Sequence, residues 1–162
     1  MMEVKIRQAK NNEEDSAIYG ELYRNNCLEK NKAIYGKEFK DIGSEPGKAD
    51  FGVGLRSGEI VLFAEIEDEV VGYLHGKVLN NYEREESEGS IYDIFVLENY
   101  RKKGIGTGLV NHFREMLEEK GSDKNKNIIY TPPLELELDK AIKFFESLGF
   151  EVKARVYGKE VK

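Results

Sequence analysis

The stretch "NYRKKGIGTGLVNHF", residues 99–113, places three basic side chains and three glycines at the mouth of a helical pattern. Leu109, Val110, Phe113, Met116 and Leu117 carry that pattern onward. Glycine at 104, 106 and 108 removes side chains that would keep a ligand away from the backbone. The first turn of the predicted helix has N–H groups without intrahelical partners and a partial positive charge. Arg101, Lys102 and Lys103 add full charges beside it. Together they form an anion site of the kind that holds phosphate.

Two common phosphate signatures do not fit. A P-loop needs a lysine after its last glycine, and a dinucleotide fingerprint needs a further glycine at that point; Leu109 stands there instead. The bland alternative is a glycine turn without a ligand, flanked by a solvated charge run.

Other side chains with chemical potential are few. Asp93 lies in the apolar run "SIYDIFVL". Burial there disfavours a charged carboxylate, so Asp93 is a candidate base, an anchor for a cation, or a structural hydrogen-bonding acid. Tyr92 is expected on the opposite face, in the core. His75 is either a proton relay or a structural strand histidine, and His112 is expected at the surface. Cys27 is the only cysteine, which excludes an internal disulfide and leaves packing or, less simply, a nucleophile. Two isolated histidines and one cysteine have no ligand spacing, so no metal is expected. The acid-rich "EREESEG" and "LELELD" are solvated faces or attractors of a polyamine or basic peptide.

These residues need elements to position them. Alternation predicts a short strand over 3–9, and "NNEED" caps a helix over 13–26. Residues 30–58, with Pro46 and several glycines, read as one irregular helix or loop. "EIVLFAEIEDEVVGYLHGKVL" reads as two strands around a turn at Glu67, Asp68 and Glu69. The polar residues 80–89 read as the next turn, and 90–97 as a central strand. The helix behind the glycines ends near Lys120. A strand over 127–131 follows, then an amphipathic helix through Ala141, Phe145 and Leu148, stopped at Gly149 with Phe150 as the contact of its cap. Residues 151–157 read as a closing strand. Strands joined by tight turns are antiparallel, and the later β-α-β-α-β order permits parallel pairing. The expected fold class is α/β: a mixed sheet with helices on both faces.

The chain has 162 residues, 40% hydrophobic, with a formal net charge of −6. This suits one domain over 1–162. An acidic chain argues against a nucleic-acid partner and is compatible with a cationic substrate. "MMEVKIRQAK" has no apolar run of signal-peptide length, and no stretch reaches the roughly 20 apolar residues of a membrane span. The expectation is a cytoplasmic protein without a membrane partner.

In this strand–turn–helix setting, "RKKGIG" resembles the Arg/Gln-x-x-Gly-x-Gly/Ala signature of the GCN5-related N-acetyltransferases (GNAT). "IYDIFVLENYRKKGIGTGLVNHF" is similar to that family's fourth strand, turn and third helix. "VLFAEIEDEVVGYLHGKV" resembles its second and third strands, and "AIKFFESLGFEV" its last helix and strand. The resemblance implies a mostly antiparallel sheet with a splayed parallel central pair. It implies direct transfer of the acetyl group of acetyl-CoA to the primary amine of a small molecule or peptide. Ile94, Phe95 and Val96 would then bond pantetheine, and one N–H there would polarise the thioester carbonyl. Arg101, Lys102, Lys103, Gly104, Ile105, Gly106 and Thr107 would hold the pyrophosphate by backbone N–H groups, with the two lysine side chains either touching phosphate or simply solvated. Asp93 would be the base or orient the cationic acceptor.

The family's tyrosine acid and upstream asparagine fall at Phe145 and Leu138, neither of which can donate a proton. Tyr130, Tyr157 or water would serve the thiolate, or it would leave unassisted. The competing reading is a non-catalytic acyl-CoA-binding or regulatory module. Many relatives pair, which implies a homodimer.

Overall fold

The computed structural model describes residues 3–36, 40–81, 86–120, 128–130 and 139–151. They fall into two compact units, Met1–Pro132 and Pro133–Lys162.

In the first unit, five strands lie side by side in chain order: β1 (Lys5–Gln8), β2 (Ile60–Ile66), β3 (Glu69–Asn81), β4 (Glu86–Val96) and β5 (Ile128–Tyr130). The first four pair antiparallel and β5 joins β4 in parallel. The β2–β3 turn is Glu67 and Asp68, both left-handed at φ 49° and 67°. Two such residues form the turn whose twist matches a hairpin. Glu69, read from sequence as part of the turn, is the first residue of β3.

The sequence reading of 80–89 as a turn is corrected. The β3–β4 register continues through Asn80↔Ser87 and Asn81↔Glu86, and only residues between these ends are left to connect them. Ladder bonds belong to the backbone, so a polar stretch can extend a strand as well as end it.

Helix α1 (Glu13–Tyr35) begins at Asn12, whose side chain accepts from the Asp15 N–H at 2.8 Å. It ends where Gly36, at φ 62°, returns its N–H to Lys32 O. It is therefore nine residues longer than the 13–26 predicted. Helix α2 (Glu45–Arg56) replaces the irregular region, with Pro46 in its first turn. Its glycines were the misleading signal. A Cβ on Gly47 would stand 2.9 Å from Tyr23 Cβ and 3.0 Å from Gly20 Cα, so these glycines let two helices cross closely.

Tyr19 and Leu22 of α1, Phe51 of α2, and Val61, Phe63, Tyr73 and Phe95 of the sheet form one buried cluster. Each such side chain contributes roughly 1.5–3 kcal/mol by leaving water. Arg7 ties this layer together, bonding Asp15 through two nitrogens at 2.8 Å and Glu65 through Nε. Helix α3 (Ile105–Lys120) buries Leu109, Phe113 and Leu117, and the Phe113 ring sits over Gly76 and Gly89. By strand alternation this is the other face of the sheet.

In the second unit, α4 (Asp139–Ser147) ends as the sequence predicts. Gly149 is left-handed, Phe150 N–H bonds Phe145 O at 3.1 Å, and the two rings lie 5.2 Å apart. The predicted closing strand lies, after Glu151, outside the described residues. Among the described residues, no helix is long and apolar enough to cross a membrane.

Candidate functional site

The site begins with an irregularity in β4. Its register against β3 passes from His75↔Asp93 directly to Gly76↔Ile91, so Tyr92 is an extra residue, a β-bulge. The period of two breaks there, which corrects the placement of Tyr92 in the core. Its side chain is 42% exposed and meets the His75 ring edge-on at 5.7 Å.

Beyond the bulge, one edge of β4 has no strand partner among the described residues. Leu97 N–H donates to Val71 O at 2.9 Å. Alternation then sends the polar groups of Phe95 toward β3, and those of Ile94 and Val96 to the other side. β5 pairs with β4 only over residues 88–90, so among the described residues no strand covers Ile94 or Val96. The Ile94 N–H lies 3.1 Å from Asp93 Oδ1.

At the end of β4, a 3-10 turn (Glu98–Tyr100) leads into the basic turn. Arg101 braces it: its N–H donates to Glu98 O, its Nε to Val96 O at 2.7 Å and its Nη2 to Glu29 at 2.5 Å. Lys102 and Gly104 are both left-handed, at φ 59° and 80°. Such reversals gather successive N–H groups into a concavity. Residues 101–104 are exposed, and the α3 first turn opens on Ile105, Gly106 and Thr107. Lys103 Nζ rests 5.4 Å from the Tyr100 ring centroid. Gly108 has a packing role: a Cβ there would stand 3.2 Å from Ile6 Cδ1.

Asp93 sits in a polar cluster inside the apolar layer. Its Oδ2 accepts from Asn26 Nδ2 at 2.7 Å and from the Tyr73 hydroxyl at 2.5 Å, while Lys30 Nζ donates to Oδ1 at 2.8 Å. Burial first, and the Asp93 charge second, push the Tyr73 phenol well above its ordinary range. Tyr73 therefore keeps its proton and donates it. Donors on several sides hold the Asp93 carboxyl in place.

His75 lies alongside, buried to 4% exposure. Its Nδ1 is 2.9 Å from Tyr19 Oη, and its Nε2 is 2.7 Å from Glu59 Oε2. Burial raises the Tyr19 phenol, so it too remains a donor. Half-buried Cys27 has its thiol pushed up by desolvation, away from the thiolate that a nucleophile needs. His112 is partly exposed, 3.9 Å from Glu115. Among the described residues, no three His, Cys, Asp or Glu side chains could hold a metal ion.

The profile of the acetyltransferase (GNAT) family matches residues 24–150. The chain belongs to this family. The match crosses from the first compact unit into the second. No curated protein sequence matches the chain. Among solved structures, an aminoglycoside acetyltransferase from an uncultured soil metagenomic sample, in complex with sisomicin, is 21% identical. It covers 98% of this chain and 97% of its own, with a TM-score of 0.69. The aminoglycoside N-acetyltransferase AAC(6')-Iy in complex with CoA is 17% identical over 100% and 97%, at 0.71. A transcriptional regulator from Bacillus halodurans C-125 is 19% identical over 98% and 100%, at 0.73. These likenesses show the acetyltransferase-family fold.

Of the family positions read from sequence, Ile94, Phe95 and Val96 line the end of β4, and residues 101–107 connect it to α3. Asp93 is on the opposite side of the strand from Ile94, within the α1 layer. Tyr130 ends β5, its backbone opposite Ser90. Its side chain, Leu138 and Tyr157 lie outside what is described. Sequence reasoning missed Asn26, Lys30, Tyr73, Tyr19 and Glu59. A signal existed for four of them: Tyr73 and His75 share a strand face, and Tyr19, Asn26 and Lys30 fall at i, i+7 and i+11 on one helix stripe. Glu59, just before β2, carried none.

Proposed function

We propose that the chain, as one domain over 1–162, is an N-acetyltransferase that moves the acetyl group of acetyl-CoA to a primary amine in a ternary complex. The observation that carries this is the exposed, left-handed turn at Lys102 and Gly104, which feeds the first turn of α3 beside a β4 edge that no described strand covers. The turn leaves room for a diphosphate: a side chain at Gly104 would meet nothing within 4 Å, so the space beside the backbone is open. CoA is also the ligand of one similar structure.

When bound, acetyl-CoA supplies the activated acyl group. The N–H groups from Gly104 to Thr107 hold its diphosphate, with Lys102 and Lys103 adding charge. Arg101 acts as a brace through Val96 and Glu29. Ile94 and Val96 offer backbone groups to the pantetheine arm. The Ile94 N–H is the donor placed to stabilise the carbonyl oxygen as it gains charge, on leaving Asp93 Oδ1. Asp93 serves to fix Asn26, Lys30 and Tyr73 in the site, a role its engaged oxygens favour over that of base. Tyr130 is retained as the proton donor to the thiolate.

The acceptor class is a cationic amine. The −6 net charge and the acidic side chains Asp50 and Glu59 beside His75 support it, as do the aminoglycoside substrates named for two similar structures. The second reading, a non-catalytic CoA-binding regulator, is favoured by Phe145 at the family's acid position and by the regulator among the similar structures.

The deciding experiment is thiol release from acetyl-CoA against a panel of aminoglycosides, polyamines and amino acids. Amine-dependent release establishes the transferase. Tight CoA binding with no release across this panel and a widened one supports the non-catalytic CoA-binding module.

A further inference from the structure

We propose that Glu59 and His75 act as one unit, taking the proton that the acceptor ammonium must lose before it attacks. This rests on the transferase reading above. It differs from the sequence expectation, in which Asp93 was the candidate base, an anchor for the cationic acceptor or a structural acid.

The geometry is specific. His75 is 4% exposed, whereas the Glu59 side chain keeps 22% of its surface. Glu59 is thus the solvent-facing end of a hydrogen-bonded line that runs to His75 Nε2 at 2.7 Å and from Nδ1 to Tyr19 at 2.9 Å. The Tyr19 hydroxyl donates to Nδ1, which leaves the ring proton on Nε2 to be donated to Glu59. With Nε2 protonated and Nδ1 accepting from Tyr19, the proton from the ammonium goes to the Glu59 carboxylate, which His75 holds in place; Asp50 lies 3.8 Å from Nδ1. The groups facing His75 are Tyr19 from α1, Asp50 from α2, Glu59 from the start of β2, and Tyr92 and its register partner Asp93 from β4. Lys77, two residues along β3, is engaged by the Ser57 carbonyl at 2.9 Å.

Two further features argue that the pair is built for use. It abuts Tyr92, the exposed residue of the bulge, where β4 leaves its regular register. It also lies under Gly54 of α2. A Cβ there would overlap Glu59 Oε2 and stand 3.1 Å from His75 Nε2. A glycine inside a helix costs about 1 kcal/mol against alanine, and here it makes room for this contact. Glu59 N–H is fixed to Gly54 O at 2.9 Å.

The step balances. The ammonium gives one proton to the Glu59–His75 pair. The freed amine forms the N–C bond to the thioester carbonyl carbon, and the C–S bond breaks. The second amine proton ends on the departing thiolate, and the pair returns its proton to solvent.

The test compares the parent with Glu59→Gln, His75→Gln and Tyr19→Phe, using acetyl-CoA and sisomicin, then spermine. CoA affinity is measured in each. The expected result is unchanged CoA affinity with kcat/KM about 100-fold lower near neutral pH in the Gln variants. Their rates should climb with pH without the parent's plateau. Tyr19→Phe should lose less and move the plateau. Parent-like pH profiles in both Gln variants that bind CoA normally would overturn the pair's role while leaving the transferase intact. No amine-dependent release by the parent with any amine overturns the transferase reading and the pair's role together.

Discussion

Gly104→Glu isolates the diphosphate cradle from the rest of the fold. Gly104 stands at φ 80° and is exposed, and a Cβ placed on it meets no atom within 4 Å. Gly104→Ala therefore measures backbone strain alone, about 1–2 kcal/mol of stability for a left-handed L-residue. Gly104→Glu adds a negative charge at the helix mouth. One unit charge about 5 Å from another costs about 3 kcal/mol at the effective dielectric near a protein surface, and salt lowers this. The expected rise in the Kd for CoA is roughly 30- to 100-fold in 0.1 M salt. Alanine should change it by less than about threefold. Calorimetric titration with CoA gives the affinities, and urea unfolding confirms that both variants lose the same stability. The penalty of glutamate over alanine should shrink as salt rises. A glutamate variant as stable as the alanine one, binding CoA like the parent, would falsify the cradle.

Three further outcomes follow from the geometry. Asp93→Asn removes the charge that Asn26, Lys30 and Tyr73 converge on; it should cost about 2 kcal/mol in urea unfolding and slow acetyl transfer more than it weakens CoA binding, and an unchanged rate would take Asp93 out of the reaction. Asp15 is held below its ordinary range chiefly by Arg7, against the opposing effect of burial. The stability this gives is present above the unfolded carboxyl value and lost as pH falls through the lower folded one. Parent and Asp15→Asn unfolding curves should therefore differ at neutral pH and draw together as pH falls through the lowered folded value; a gap that stays constant down to the acid-unfolding limit would contradict it. Gly54→Ala should push Glu59 off His75, so kcat/KM should fall while CoA affinity holds; an unaffected rate would mean that α2 yields without disturbing the pair.

The sequence made some levels of this structure readable and hid others for definite reasons. The glycine turn, the α3 pattern and the Gly149 cap depend on local chemistry, and each was legible. The hairpin at Glu67 and Asp68 was placed correctly, although its residues are not the usual Asn-Gly. Helix α2 was hidden because its glycines serve a helix crossing at Gly20 and Gly47, and a crossing is invisible along one chain. The bulge at Tyr92 was hidden for a similar reason. It is a count of residues on one strand against its neighbour, and the alternation rule had assumed the counts to be equal. Asp93 was singled out from its apolar surroundings, but its donors arrive from 20 to 67 positions away. Sequence proximity could not predict that such an acid would be so fully satisfied.

The proposed reading gives the two ends of one strand segment opposite electrostatic tasks. At the Val96 end, exposed Lys102 and Lys103 and the helix mouth face an anionic diphosphate. At the bulge, Glu59 and Asp50 face a cationic amine, with Lys30 on Asp93 rather than beside them. Residues 92 to 96 rise about 3.4 Å each, so the two fields are separated by roughly 14 Å, beyond the Debye length of about 8 Å at physiological salt. Each end can therefore attract its own ligand without cancelling the other. Rising salt should weaken both CoA and the amine, and Lys102→Ala with Lys103→Ala should lower only the CoA salt dependence. If the amine's KM lost its salt dependence together with CoA in that variant, the two ends would not be separate fields, and the acceptor would have to lie close to the diphosphate.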